Sequence, residues 1–370
     1  MIRLCNCFRS AQSLCYTRQT FYQRGIQMKD TAKSYLRWLS EETATDWWND
    51  SAEPSELETA IAHGATGTTT NPVLVARTLR ANPAISARQA EDIGVDPSAT
   101  SPTEIRTCYV VTAAARMFER IHETTEGNLG YACAQVDPAI AARADAMMDM
   151  ARRFHAWAPN IAVKLPVTLA GLDALEECAA EGITITATVS FTVPQVIAVA
   201  ERYRKGSVRA RQAGRDPGKC FAVIMMGRLD DYLWDVAVEQ KAGVQESDVR
   251  QAGLAVVKRA YAIFRGRDYE ARLLPAALRG AHHVQELAGA DVLMSVPPRV
   301  QEELLRPDVA RELHADQPVA PDITERLMAM PEFVRCYEPD GMAPEHFLTF
   351  GLTQRTLTQF DQAGWLRIGA

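Results

Sequence analysis

The chain has 370 residues, 47% hydrophobic and 23% charged, with 40 basic against 46 acidic side chains and a formal charge of −6. These values exclude a disordered chain, a collagen and a coiled coil, and a net acidic balance speaks against a general nucleic-acid binder. No uncharged apolar run reaches about 18 residues, so no helical membrane span is expected, and the length is enough to bury a large core.

Residues 1–27 stand apart. They carry Arg3, Arg9, Arg18 and Arg24 and no acid, the first acid being Asp30. Such a stretch resembles an organelle transit peptide. A start assigned too early, with Met28 as the true first residue, fits somewhat better, because Met28-Lys29-Asp30 leads straight into a helical pattern. In either case 28–370 is expected to hold the fold as one domain. Eight cysteines are present, three within the first fifteen residues, with no CxxC pair. That is neither a disulfide framework nor a zinc site, and points to a reducing, cytoplasmic compartment.

From about residue 45, short apolar runs alternate with amphipathic stretches. Strands are expected at 45–50, 66–70, 131–136, 160–165, 184–189, 221–227, 271–275 and 291–296. Helices are expected near 54–63, 103–122, 139–157, 169–180, 193–204, 249–264, 280–288 and 298–305. Several strand runs are continuously apolar, such as Phe221-Ala222-Val223-Ile224-Met225-Met226. That pattern suits parallel strands covered on both faces. Eight such units predict a (β/α)8 TIM barrel, with further helices after residue 306. Pro54 and Pro298 open helices, and Gly64 and Gly182 close them. The Pro-rich segment 81–102 reads as a surface insertion. The basic segment 202–219 reads as a solvated helix end and loop, with an anionic partner as the alternative.

In this fold class the active site lies at the C-terminal ends of the strands. Polar residues there, or inside apolar strands, are therefore the candidates. Lys164 lies within Ile161-Ala162-Val163-Lys164-Leu165-Pro166, and lysine is almost never buried unless paired. A neutral amine in an apolar interior is a nucleophile toward carbonyl carbon and forms a Schiff base. The alternative is an edge strand with Lys164 in solvent. Asp50 ends the first strand, as a catalytic carboxylate or as a turn residue. Asn71 follows Thr68-Thr69-Thr70, either to hold a hydroxyl or to start a helix. Gln135 interrupts an apolar strand, and Thr188 closes a Thr-rich one. Arg228 and Arg279 follow the sixth and seventh strands. Together they would make an anion site, most simply for phosphate; singly, each would be a structural ion pair. His282-His283 read as structural, with a weak contact to substrate as the alternative. No metal-ligand spacing, GxGxxG, P-loop or GxSxG elbow is present, so no metal is expected and nucleotide binding loses support.

These residues resemble the transaldolase family, which includes the fructose-6-phosphate aldolases. The resemblance rests on Gly67-Thr68-Thr69-Thr70-Asn71-Pro72, on Val163-Lys164-Leu165-Pro166-Val167-Thr168 with Gly171-Leu172, on Glu181-Gly182-Ile183 leading to Thr188, on Gly227-Arg228-Leu229-Asp230 and on Leu287-Ala288-Gly289-Ala290. It runs from about 45 to 305. It implies a barrel enzyme without metal or organic cofactor that acts on sugar phosphates and needs neither nucleic acid nor membrane; a homo-oligomer stays open. It implies that Lys164 forms a Schiff base with a ketose phosphate and that Asp50 takes the proton of the donor hydroxyl. Asn71 would orient hydroxyls or the lysine, Thr188 the catalytic water, and Arg228 and Arg279 the phosphate. A transaldolase passes a dihydroxyacetone unit to an aldose phosphate, as in the pentose phosphate pathway; an aldolase of the same chemistry releases the ketone. A barrel that only binds sugar phosphates is a third possibility. Four positions depart from the family pattern. Gln135 stands where transaldolases carry a glutamate. Met225 replaces the tyrosine of the aldolase branch, and Ala277 replaces a serine that helps bind phosphate. Val223 also replaces a common serine.

Overall fold

The computed structural model describes residues 33–86 and 100–369. The acid-free leader and most of the Pro-rich insertion lie outside the described residues. The first part of the chain runs helix α1 (Tyr35–Glu42), strand β1 (Asp46–Asn49), α2 (Pro54–Ala62), β2 (Gly67–Thr68), α3 (Pro72–Ala81), α4 (Pro83–Ser86), α5 (Pro102–Thr124) and β3 (Tyr131–Gln135). It continues with α6 (Ala144–His155), β4 (Ile161–Pro166), α7 (Leu169–Glu181), β5 (Ile185–Thr188), α8 (Val193–Gln212), β6 (Cys220–Met225) and α9 (Met226–Gln240). Next come α10 (Glu246–Val249), α11 (Ala252–Gly266), β7 (Arg272–Ala276), α12 (Ala281–Gln285), β8 (Leu293–Val296) and α13 (Pro298–Leu304). The chain ends with α14 (Pro321–Met328), α15 (Pro331–Tyr337), α16 (Gly351–Phe360), a π-helical turn (Asp361–Trp365) and α17 (Leu366–Gly369).

All eight strands are parallel, in the order β7-β6-β5-β4-β3-β2-β1-β8. This is a (β/α)8 TIM barrel with extra C-terminal helices. It is nearly closed: β7 and β8 lie side by side, but among the described residues no ladder joins them. Pro275 sits in β7, where its missing N–H costs nothing because that side of the strand is unpaired. Arg272 bridges the seam instead. Its guanidinium reaches Asp46 Oδ2 (2.6 Å), the Ala44 carbonyl (3.1 Å) and the Val292 carbonyl (3.2 Å).

Inside the barrel, Trp48, Tyr131 and Phe221 pack as aromatic neighbours, with Trp48 and Phe221 rings 4.8 Å apart. Tyr131 and Phe221 lie at the starts of β3 and β6, so large side chains plug the N-terminal end. Gly67 makes the room: a Cβ there would stand 2.6 Å from both Trp48 Nε1 and the Tyr131 carbonyl oxygen. The opposite end of the barrel stays open.

Element boundaries follow local chemistry. Pro54 and Pro298 begin α2 and α13, and Gly182 ends α7 in the left-handed conformation at φ 84°. Several expectations need correction. The expected strand 221–227 stops at Met225, and Met226 already begins helix α9, which the chain-order reading omits. The expected helix 139–157 divides into a 3-10 turn (Pro138–Ile140) and α6. Helix α8 extends to Gln212, so much of the basic segment is helical, and its arginines pair with Glu176, Glu177 and Glu270 on neighbouring surface elements. The five described cysteines are buried and unbridged. No helix among the described residues is long and apolar enough to cross a membrane.

Candidate active site

The open end of the barrel holds a cavity of about 590 Å³. Its walls include Asp50 after β1, Thr69 and Asn71 after β2, Lys164 of β4, Thr188 closing β5, and Val223 and Met225 of β6. Arg228, Ala277, Arg279 and Ser295 complete the inner wall. Six of the seven sequence candidates therefore meet around one space. The alternation Val223/Met225 and Leu274/Ala276 is the two-residue period of strands turned inward.

Lys164 is 7% exposed, which excludes the solvent-facing alternative. Its Nζ donates to the Thr70 carbonyl oxygen at 2.8 Å. That carbonyl is free for the amine because β2 ends at Thr68 and the chain turns away toward α3. Asp50 is half-buried. Its Oδ1 accepts from Thr69 Oγ1 (2.8 Å), and Thr69 Oγ1 lies 2.6 Å from Ser295 Oγ. Burial pushes the Asp50 carboxyl above its ordinary range, against the opposing pull of the Lys164 amine, the Thr69 hydrogen bond and the Arg228 guanidinium. A carboxyl so placed is suited to exchange a proton with a bound hydroxyl.

Asn71 serves in two ways. Its Oδ1 caps α3 by accepting from the Val73 (3.0 Å) and Leu74 (3.1 Å) amides, while the residue lines the cavity. The cap uses the oxygen, which leaves the amide's donor end for a ligand. Gln135 is adjacent to Lys164 in the β3–β4 register but is not among the residues that line the cavity. It is 3% exposed, and its Oε1 has no hydrogen-bond partner among the described residues.

The two arginines differ. Arg228 lies in the first turn of α9, not on a strand end, where helix N–H groups and the helix dipole also favour anions. Its Nη1 donates to Gln359 Oε1 at 2.6 Å, and its guanidinium lies 5.2 Å over the Phe360 ring. Burial and the Arg279 charge lower its pKa from the usual arginine value. Arg279 matches the ion-pair alternative: Nε and Nη2 donate to Asp231 Oδ2 at 3.1 and 2.7 Å. It still borders the cavity. Behind it the Arg279 amide donates to His283 Nδ1 at 3.3 Å, which puts the neutral ring's proton on Nε2, facing Asp230 at 3.7 Å. His283 is thus structural, and burial drives its pKa down to about 3.

The sequence reading leaves out several lining residues. Ser295 carries the same signal as Gln135, a polar residue inside an apolar strand. Arg299 follows β8 as Arg228 and Arg279 follow β6 and β7, whereas Arg355, Gln359 and Phe360 carry no signal, because their place at the site comes from the way the last helices fold over the barrel mouth. Four arginines line the cavity beside Lys164, against Asp50, Asp231 and Asp235, so it favours an anionic ligand although the chain is acidic.

The family model described as transaldolase/fructose-6-phosphate aldolase matches residues 47–345. A transaldolase of Mycolicibacterium paratuberculosis is 29% identical over 270 residues, covering 70% of this chain and 68% of its own. A transaldolase of Thermobifida fusca is 28% identical over 263 residues, covering 67% and 70%. A transaldolase of Mycobacterium bovis is 31% identical over 208 residues, 54% of each chain. The match spans every barrel strand except the first residue of β1, and the chain belongs to the transaldolase/fructose-6-phosphate aldolase family.

Proposed function

We propose that this protein is a Schiff-base transaldolase that moves a dihydroxyacetone unit between sugar phosphates, of the kind used in the pentose phosphate pathway. The observation that carries the proposal is Lys164, a buried amine inside a cavity that also holds a proton-exchanging carboxyl and an arginine at a helix start. The Lys164 amine adds to the ketone carbon of the donor and expels water, leaving a protonated imine. Asp50 takes the proton of the hydroxyl beside the breaking carbon–carbon bond. That oxygen becomes the aldehyde, and the bonding electrons move into the imine to give an enamine on Lys164. The enamine then adds to an acceptor aldose phosphate, and water returns to free the ketose product. Arg228 binds the phosphate, with Arg279 beside it, and Asn71 and Thr188 hold hydroxyls and water.

Gln135 favours a second reading, an aldolase of the same chemistry. Its unpartnered Oε1 can hold a water near the imine, yet an amide cannot take that water's proton. Borohydride trapping with ketose phosphates tests the shared chemistry. Wild-type protein should gain the donor's three-carbon unit at Lys164 by mass mapping. Lys164→Ala should lose trapping and at least about 10³-fold in turnover while keeping its fold. Turnover retained in that variant overturns the Schiff base. Donor consumption equally fast without an aldose acceptor replaces the transferase with the aldolase.

A further inference from the structure

Helix α16 and the π-helical turn after it lie beyond the matched residues 47–345, yet α16 walls the anion side of the cavity. Their place is set by close packing. A Cβ at Gly364 would stand 2.6 Å from the Pro72 carbonyl carbon and 2.7 Å from the Val73 nitrogen. The C-terminal segment therefore rests on the first turn of α3, the turn that Asn71 caps. From there α16 presents Gln359 to Arg228.

The partners of the cavity arginines are not equivalent. Arg279 is held by Asp231, whose other oxygen takes Arg250 at 2.6 Å, and Arg355 is held by Asp235 at 2.8 Å. Arg228 is held by a neutral amide oxygen and an aromatic face. Among the described residues no carboxylate comes within ion-pair distance of it. A guanidinium paired with a carboxylate has its charge largely compensated before a ligand arrives. One fixed by neutral partners is oriented just as firmly but offers its whole charge, and its remaining donors, to an incoming anion.

We propose that Gln359 is a positioning residue of the anion subsite: it aims the Arg228 guanidinium without neutralising it, and so sets the preference for phosphorylated over unphosphorylated sugars. The inference rests on the reading of Arg228 as the phosphate ligand. Glutamate at 359 has the same shape, reaches the same nitrogen and turns the contact into an ion pair that competes with phosphate. Alanine only releases the arginine. An electrostatic role therefore makes Gln359→Glu worse than Gln359→Ala. A packing role makes it milder, because the shape is kept. Gln359 is exposed, so neither change opens the core.

The experiment measures kcat and KM for fructose 6-phosphate and for fructose, and inhibition by inorganic phosphate, in wild type and both variants, with thermal melts as fold controls. The expected result is a phosphate preference, expressed as the ratio of the two kcat/KM values, that falls about tenfold or more in Gln359→Glu and about two- to threefold in Gln359→Ala. The loss should lie in KM for the phosphorylated sugar and be matched by weaker phosphate inhibition. A preference that survives in Gln359→Glu, or falls further in Gln359→Ala, overturns the role of Gln359 while leaving Arg228 as ligand. A wild type with no phosphate preference and no phosphate inhibition overturns the reading of Arg228 itself, and the inference with it.

Discussion

Lys164 and Asp50 share one cavity wall but reach it by different routes. The lysine was legible because an amine inside Ile161-Ala162-Val163 and Leu165 has no structural reason to be there, and it proves 7% exposed. The aspartate was ambiguous, because a carboxylate after a strand is as often a turn residue, and only its neighbours Thr69 and Ser295 give it a role. Burial raises its carboxyl above the ordinary value near 3.9. Asp50 must be deprotonated to accept the donor's hydroxyl proton, so activity should rise with pH as the carboxyl ionises. The acidic limb of the kcat/KM profile should have its midpoint above about 4. In Asp50→Asn that limb should vanish with at least about a hundredfold of the rate. A limb unmoved in the variant assigns the proton transfer to another group.

Helix α9 shows where a clear pattern can be overlooked. Its buried residues Leu229, Tyr232, Leu233, Val236 and Ala237 recur at helical spacing, but it follows β6 without any turn residue between them. The apolar run simply continues across the boundary and reads as a longer strand. The junction is tight for a reason that concerns the site. A Cβ at Gly227 would lie 2.3 Å from the Ala277 carbonyl oxygen and 2.7 Å from Arg279 Cγ. The first turn of α9 and the loop after β7 therefore touch through this glycine, and the two arginines flank it. Gly227→Ala should cost about 1–3 kcal/mol of stability through overpacking. It should also raise KM for a phosphorylated donor more than it lowers kcat. A chemical-denaturant titration and a kinetic split check this, and an unchanged KM would separate the junction from the anion site.

Stability of the entire chain should report a buried pair that no step of the reaction uses. Asp230 accepts from the Gly253 amide at 2.7 Å and faces His283, and burial raises its carboxyl to about 8. Its folded value lies above the unfolded value near 3.9, so its contribution is complete below that value and is lost as pH rises toward 8. His283 acts in the opposite sense. Its folded value of about 3 lies below the unfolded value near 6.5, so stability from it is lost as pH falls below that value. The two trends oppose each other between about 4 and 6.5, and above that window only Asp230 remains. The melting temperature should therefore fall between pH 6.5 and 8, and Asp230→Asn should flatten that decline. An equal decline in the variant would place the titrating group elsewhere.

The barrel class, the eight strand positions and the lysine could all be read along the chain, because strand and helix periods repeat over a few residues and an amine among aliphatic side chains is a local contradiction. The seam at β7 and β8, the carboxylate that ties up Arg279 and the amide that holds Arg228 could not. Residues 46 and 272, or 228 and 359, meet only when the strands have curled round and helix α16 has folded across the mouth. Short-range patterns record which face of an element is buried; which distant side chain arrives opposite it is decided by packing in three dimensions.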